Sequence, residues 1–357
     1  MKRIEVSCDL VEEILARVPA KDLLRFRRVC KRWKSLIQDK QFIKKHVSYS
    51  PTKFLYCAYN SSAKRHLVYE YKGTRMLDNN HVRLFLHCNG LICLCFWGKY
   101  LAVWNPALRE LRKIEPATIK GSALNMIGFG YDHSNDDHKI VLLTYRRSPS
   151  RPHHDFGRAE VISLKTGSRV IDYPSYAFDS HADPGGGTLV GNRIFWLVKD
   201  PTNKDSFILS FDLVSHQFNR VSCPSTNARI VGYNLSVIRG HLCVVEYRVR
   251  ELCIWSGQSG KGVHSWSRLF TVSVDDIKLP DGHWVFGSHV VECETKDMEL
   301  LVKVSNWFEQ KQKFKVVRVS AFNTKENVFT KLEIDYSCGY IATGPCPYKE
   351  SLLSVHG

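Results

Sequence analysis

The chain has 357 residues, 44% hydrophobic and 24% charged, the composition of a folded protein with material for one large or two ordinary domains. Its first residues, MKRIEVSCDLVEE, place Asp9, Glu12 and Glu13 where a signal peptide needs an apolar run. Its longest apolar run, Leu91 to Trp97, falls far short of the roughly 20 residues of a membrane-spanning helix, so a cytoplasmic or nuclear protein, not secreted, is expected.

The formal net charge is +16 and is unevenly spread: residues 1–50 hold 13 Lys and Arg against 6 Asp and Glu. Such a patch points to nucleic acid or to an acidic protein partner without separating the two. Twelve cysteines are scattered through apolar stretches, and no pair has C-x-x-C spacing. Reduced, buried thiols are expected, with neither a structural zinc nor any other cofactor.

Asp9 is placed to cap a first helix, with Glu12 closing a capping box, and Leu10, Val11, Ile14, Leu15 and Val18 then share one face until Pro19 ends it. From Asp22 a second periodic stretch begins, in which Leu23, Phe26, Val29, Cys30, Trp33, Leu36 and Ile37 step by three or four. Arg25, Arg27, Arg28, Lys31, Arg32 and Lys34 lie between them, giving a helix or broken helix pair with an apolar stripe and a cationic back. A short segment, Phe42 to Val47, closes the module. Three short helices cannot bury this much apolar surface among themselves, so either the rest of the chain or another protein must cover part of the stripe.

The segment DLVEEILARVPAKDLLRFRRVCKRWKSLI, residues 9–37, closely resembles the plant F-box, with its D-L-x-x-E-I-L-x-R-L-P opening, K-x-L-L-R-F-R centre and V-C-K-x-W-x-x-L-I close. The resemblance implies a three-helix module that binds the Skp-family adaptor of a cullin-based ubiquitin ligase. Carried over by position, Leu10, Ile14, Leu15, Pro19, Leu23, Leu24, Phe26, Val29, Cys30 and Trp33 would form its core and adaptor-facing surface. The family usually opens with Leu-Pro before the D-L pair; here Val6-Ser7-Cys8 stands instead, which removes a contact at the interface edge.

Residues 48–53 read as a linker, after which short strands rich in Val, Ile, Phe, Tyr and Trp take over. Five segments share a strand, polar turn, strand design: LAVWNPALRELRKI, AEVISLKTGSRVI, ILSFDLVSHQFNRV, LCIWSGQSGKGVHSWSRLF and VSAFNTKENVFTKL. Anchored on Trp104, Leu164, Phe211, Ile254 and Phe322, they are spaced by 60, 47, 43 and 68 residues, around the roughly 40 to 50 of a propeller blade. A β-propeller of about six blades is expected, the sixth joining the hairpin near Phe54–Tyr71 to a closing strand near Ser351–Val355; a two-sheet sandwich is the alternative. The stretches CNGLICL, VWNPALREL, GFGYDHSNDDHKIV, GNRIFWL, FDLVSHQF, GHLCVV, SWSRLFTV and the terminal ESLL resemble, in order, the F-box-associated domain of plant proteins, which is kelch-like. The reading is therefore an α+β multidomain chain: F-box 1–47, linker 48–53 and an all-β F-box-associated propeller 54–357.

Other motifs read as structure. Asn105-Pro106 is a turn former beside a core Trp104. Asp132, Asn135, Asp136 and Asp137 lack the central glycine and terminal glutamate of a calcium loop and read as a hairpin turn. Gly257, Gly260, Lys261 and Gly262 are spaced too closely for a phosphate loop, and His153-His154 sit in a polar loop. No catalytic constellation stands out. The function expected from the resemblance is that of a non-catalytic substrate-recognition subunit, joined through the Skp-family adaptor to a cullin scaffold and holding a target whose identity the sequence does not give. A non-ligase interaction scaffold and a nucleic-acid-binding protein are the alternatives.

Overall fold

The computed structural model describes residues 7–60, 65–70, 75–78, 82–96, 100–116, 123–146, 156–172, 185–200, 205–224, 230–248, 251–259, 263–273, 290–294, 299–308, 313–323, 328–331 and 340–356. Four helices come first: α1 Cys8–Leu15, α2 Ala20–Phe26, α3 Lys31–Gln38 and α4 Lys40–Tyr49. The cap of α1 is Ser7, whose hydroxyl accepts from Leu10 N at 3.3 Å; the expected cap Asp9 lies inside the first turn, where its negative charge favourably meets the positive end of the helix dipole. Pro19 does not end α1, which stops at Leu15, but leads into α2. The second periodic stretch is a broken pair. Cys30 is extended and its Sγ accepts from Trp33 N at 3.5 Å, starting α3 afresh. Asp39 caps α4 through Gln41 N and Phe42 N, so the module has four helices rather than three.

Twenty-five strands follow, forming six sheets among the described residues. The first sheet joins β1 (Thr52–Asn60), β2 (Arg65–Glu70) and β3 (Arg75–Asp78) to the last strand, β25 (Tyr340–Lys349). The second is β4 (Val82–Cys88), β5 (Leu91–Phe96), β6 (Tyr100–Asn105) and β7 (Glu110–Ile114). The third is β8 (Ala123–Asp132), β9 (Asp137–Arg146), β10 (Phe156–Ser163) and β11 (Gly167–Asp172), with the two-residue β12 (Gly185–Gly186) added parallel to β8. The fourth is β13 (Thr188–Val190), β14 (Arg193–Lys199), β15 (Ser206–Asp212) and β16 (Phe218–Ser222). The fifth is β17 (Ile230–Ile238), β18 (His241–Arg248), β19 (Glu251–Ser259) and β20 (Val263–Ser273). The sixth is β21 (Val290–Glu294), β22 (Glu299–Phe308), β23 (Lys313–Asn323) and β24 (Val328–Lys331).

Apart from the added β12, each sheet is an antiparallel meander, and its first strand packs on the first strand of the next: β25 on β4, β4 on β8, β8 on β13, β13 on β17, β17 on β21, and β21 on β25. That cycle closes a six-bladed propeller. The closing strand is β25, ahead of the segment 351–355 expected for it, because β25 supplies the innermost position of the first blade. Only Ser50 and Pro51 separate α4 from β1, so the expected linker over 48–53 shrinks to two residues. The repeat anchors Trp104, Phe211, Ile254 and Phe322 fall in the third strand of their blades, and Leu164 directly follows one.

The polar turns of the repeats share one chemistry. Asn105 Oδ1 accepts from Ala107 N and Leu108 N, Ser163 Oγ from Lys165 N and Thr166 N, Asp212 Oδ1 from Val214 N and Ser215 N, and Asp132 Oδ1 from Ser134 N and Asn135 N. Four positions on, Arg109, Gly167, His216 and Asp136 take positive φ to end the turn. Two-residue turns with both φ positive, Asn89-Gly90 and Arg239-Gly240, open the second and fifth blades. A Cβ on Gly90 would overlap Ser351 Cβ and lie 2.6 Å from the Lys349 carbonyl. In the GFG motif a Cβ on Gly128 would meet Ile194 and Trp196 at 2.7 Å, where the third blade packs on the fourth.

Apolar clusters fill the gaps between neighbouring blades. Leu91, Val103, Phe129 and Leu142 join the second and third, and Val141, Val161, Trp196 and Phe211 the third and fourth. Cys88, Cys93, Cys95, Cys243, Cys253 and Cys346 are buried thiols, and burial pushes the Cys88 thiol up to about 12 and Cys95 to about 11. Asp132 is fully buried and is met by Lys139 Nζ at 2.7 Å, which also donates to the Leu213 carbonyl of the fourth blade. Burial works against the Asp132 charge, and the donors Lys139, Ser134 and Asn135 overcome it, leaving its carboxyl well below the usual range.

His138, 6% exposed and close to the Cys88 carbonyl, is lowered to about 4 by burial. Between pH 6.5 and about 4 the unfolded chain takes up a proton that the folded one refuses, so stability falls with falling pH by up to about 1.4 kcal/mol per unit. Urea midpoints measured from pH 7 to 5 are expected to drop, with a shallower slope in His138→Gln; an unaltered slope in the variant rules out His138 as a source.

Candidate functional site

The helical module splits its apolar stripe between an inner and an outer surface. Leu15, Leu23, Ile37 and Phe42 are at most 2% exposed and form its core. Leu24, Phe26 and Trp33 are half-buried, with the Phe26 and Trp33 rings tilted at 5.7 Å. Leu10, Ile14 and Val29 stand 53%, 54% and 62% exposed, as large as any exposures of large hydrophobic residues among the described residues; Cys30, next to Val29, and Pro19, at the start of α2, are exposed too.

Leu10 and Ile14 are one turn apart on α1 and share a face. The Arg32 guanidinium has Cys8 and Cys30 close by, which brings the start of α1 near the turn between α2 and α3 that carries Val29. Arg25, Arg28, Lys31, Arg32 and Lys34 are all exposed around this surface. The helices therefore present an apolar patch with a cationic border. Such a patch suits a protein partner with an apolar groove and acidic rim.

On the opposite side, α1 is tied to α4. Lys45 reaches Glu12 at 2.9 Å and Glu13 at 2.5 Å, and Arg17 reaches Glu13 at 2.7 Å. The Lys45 and Arg17 hydrogen bonds hold the Glu13 carboxyl below its usual range. His46 is buried, with Nε2 2.9 Å from the Val18 carbonyl, and burial lowers its pKa; the neutral ring fastens α4 to the turn that α1 runs into.

The module sits on the propeller end that carries the first-to-second and third-to-fourth strand turns. Lys40 of α4 meets Asp136 of the third blade at 2.6 Å and Lys44 meets it at 3.9 Å, while Tyr131 and Lys165 hold the same carboxylate from the propeller side. Lys40 first, then Tyr131, keeps the Asp136 carboxyl well below its usual range. Ala107 and Leu108 of the second blade pack on the module core, and Lys349 Nζ donates to the Ser48 carbonyl.

Among the predicted site residues, then, Leu15 and Leu23 are interior and Leu10, Ile14, Pro19, Val29 and Cys30 are outward. The hairpin reading of residues 132–137 holds, and among the described residues no group of His, Cys, Asp and Glu is arranged for a metal. What sequence reasoning missed is Asp136 as the seat of α4; its only trace is an acidic turn and a basic helix 96 positions apart. His153-His154 and Gly260–Gly262 lie outside the described residues. Asp136→Asn is expected to change global stability by less than about 1 kcal/mol, since the pairs are partly exposed, yet to speed hydrogen exchange in α4. Equal α4 exchange in the variant and the parent chain would remove Asp136 from the seat.

Two family models match. One, described as the F-box domain, covers residues 7–45; the other, the F-box associated beta propeller domain, covers residues 43–355. The chain is 31% identical to the F-box protein At3g08750 of Arabidopsis thaliana over 75% of its own length and 74% of that protein's. It is 29% identical to the F-box protein At3g17710 of the same plant, over 59% of this chain and 61% of the relative.

Proposed function

Because the chain belongs to the F-box proteins with an F-box associated β-propeller domain, a family of non-catalytic adaptors, we propose that it is a substrate-recognition subunit of a cullin-based ubiquitin ligase. The observation that carries this reading is the outward apolar surface of Leu10, Ile14 and Val29 on a module whose own core is already filled. Leu10 and Ile14 are already about half covered, so burying the remainder against a partner supplies about 1 kcal/mol for each side chain, and the two together make an anchor. The Skp-family adaptor is the proposed occupant, and the cullin scaffold joins through it. The cationic border of α2 and α3 speeds encounter with an acidic partner.

The target is proposed to bind at the propeller end opposite the helices, where the second-to-third strand links depart and no helix covers the strand ends among the described residues. Rate enhancement then comes from proximity: a target held near the conjugating enzyme reacts at a high effective concentration. The cytoplasm or nucleus is the proposed site of action.

Leu23 is not a residue with which to test the adaptor contact. Leu23 is wholly interior, and Leu23→Ala is expected to cost about 2–5 kcal/mol of module stability, which would weaken capture indirectly. The double variant Leu10→Asp, Ile14→Asp changes exposed positions only. It is expected to lower adaptor affinity at least about 100-fold by calorimetry while the thermal midpoint stays within about 2 °C of the parent. Undiminished affinity in this variant would sink the assignment; failure of the parent chain to capture adaptor and cullin would sink the ligase reading itself.

A further inference from the structure

We propose that the C-terminal segment Glu350–His356 is a latch that fixes the F-box on the propeller and so sets the geometry between the adaptor surface and the target-holding end. The functional consequence rests on the ligase reading; the latch itself does not.

The segment follows β25 without forming a strand, and its residues divide between the two domains. Leu352, 3% exposed, enters the helical core beside Leu15, Leu23 and Phe42. Val355, 2% exposed, enters the cluster between the second and third blades. The backbone between them is held by the second blade: Asn105 Nδ2 donates to the Ser351 carbonyl at 2.9 Å and to the Leu353 carbonyl at 2.7 Å. Glu110 accepts from Ser354 Oγ at 2.8 Å and from Val355 N at 3.1 Å, and it also faces Arg27 at the end of α2. Arg112 donates to the Val355 carbonyl at 3.4 Å.

Seven residues thus touch both domains with apolar anchors at two points and saturated backbone carbonyls between. A two-residue connection such as Ser50-Pro51 fixes where the domains join but leaves rotation about that point. A second attachment about 300 positions later in the chain removes that rotation, because the module cannot turn without withdrawing Leu352 from its core. The ionic contacts of Asp136 then fall into place at the far end of α4, too exposed to impose the geometry alone. Fixed geometry matters because effective concentration collapses when the holding arm can swing.

The test uses the full chain and zero-length carbodiimide cross-linking, read by mass spectrometry, of Lys40 to Asp136 across the domains and of Lys53 to Glu70, between β1 and β2, as an internal control. Ser354→Glu sets a carboxylate against Glu110 without touching either core; Leu352→Ala withdraws the anchor on the helical side. Both are expected to lower the Lys40–Asp136 product at least about fivefold with the Lys53–Glu70 product unchanged, and Ser354→Glu combined with Glu110→Gln is expected to restore it. Parent-level Lys40–Asp136 product in both single variants overturns the latch. Adaptor capture by the same proteins reads the ligase proposal separately: a parent chain that binds no adaptor defeats that proposal while the cross-links still decide the latch.

Discussion

Pairing of the last strand with the first, Lys349 opposite Thr52 through Tyr340 opposite Tyr59, is the constraint on which the other features depend. A six-bladed ring has no free inner edge only if the innermost position of every blade is filled, and in the first blade the filling strand must come from the far end of the chain. That requirement brings residue 349 next to residue 52, hence next to the end of α4. Whatever follows β25 emerges against the helical module. The tail is therefore placed where Leu352 can complete the helical core, and the second blade needs only Asn105 and Glu110 to hold it.

The same closure determines which end of the propeller the helices cover. The helices enter at the start of β1, on the end bearing the first-to-second turns, so the Asp136 and Ala107–Leu108 turns become their floor. Charge follows position. The acidic turn lies under the basic face of α4, while the cations of α2 and α3 are left outward around Leu10, Ile14 and Val29. The large positive balance of the first 50 residues thus serves two surfaces, an intramolecular seat and an outward border, which composition alone reads as one patch.

Much of this was legible because the repeated turns carry local chemistry. Asn105, Ser163 and Asp212 each accept from the backbone two and three residues on, and a positive φ follows at the fourth; that pattern is short-range and shows in NPALR, SLKTG and DLVSH. Every anchor chosen from those segments fell in or beside a third strand. The helix boundaries were less legible, since Ser7, Asp9, Asp22 and Asp39 can all cap and only tertiary packing selects among them. Long-range partnerships left no local trace. Nothing near Leu352 marks it as part of a core 300 residues earlier, and a strand was expected there because an apolar pair after a β-rich stretch carries the same pattern whether it pairs or plugs. The division of the F-box stripe into Leu15 and Leu23 inside and Leu10 and Ile14 outside was equally hidden, because all of them satisfy one periodicity.

That division also bears on how strongly an adaptor is held. An interface gains from its centre, where water is excluded, more than from its rim, and the missing Leu-Pro opening removes a contact ahead of α1. Ser7 occupies that position and caps the helix, so the start of α1 is stiffened by a hydrogen bond where the family uses a proline ring. Pre-ordering a binding helix lowers the entropy lost on association, which offsets part of a lost rim contact. Leu10, in the turn that Ser7 caps and bonded to it through its own N–H, is the side chain whose placement this cap controls. The proposed adaptor surface therefore depends less on an added residue at its edge than on how firmly the first turn of α1 is held.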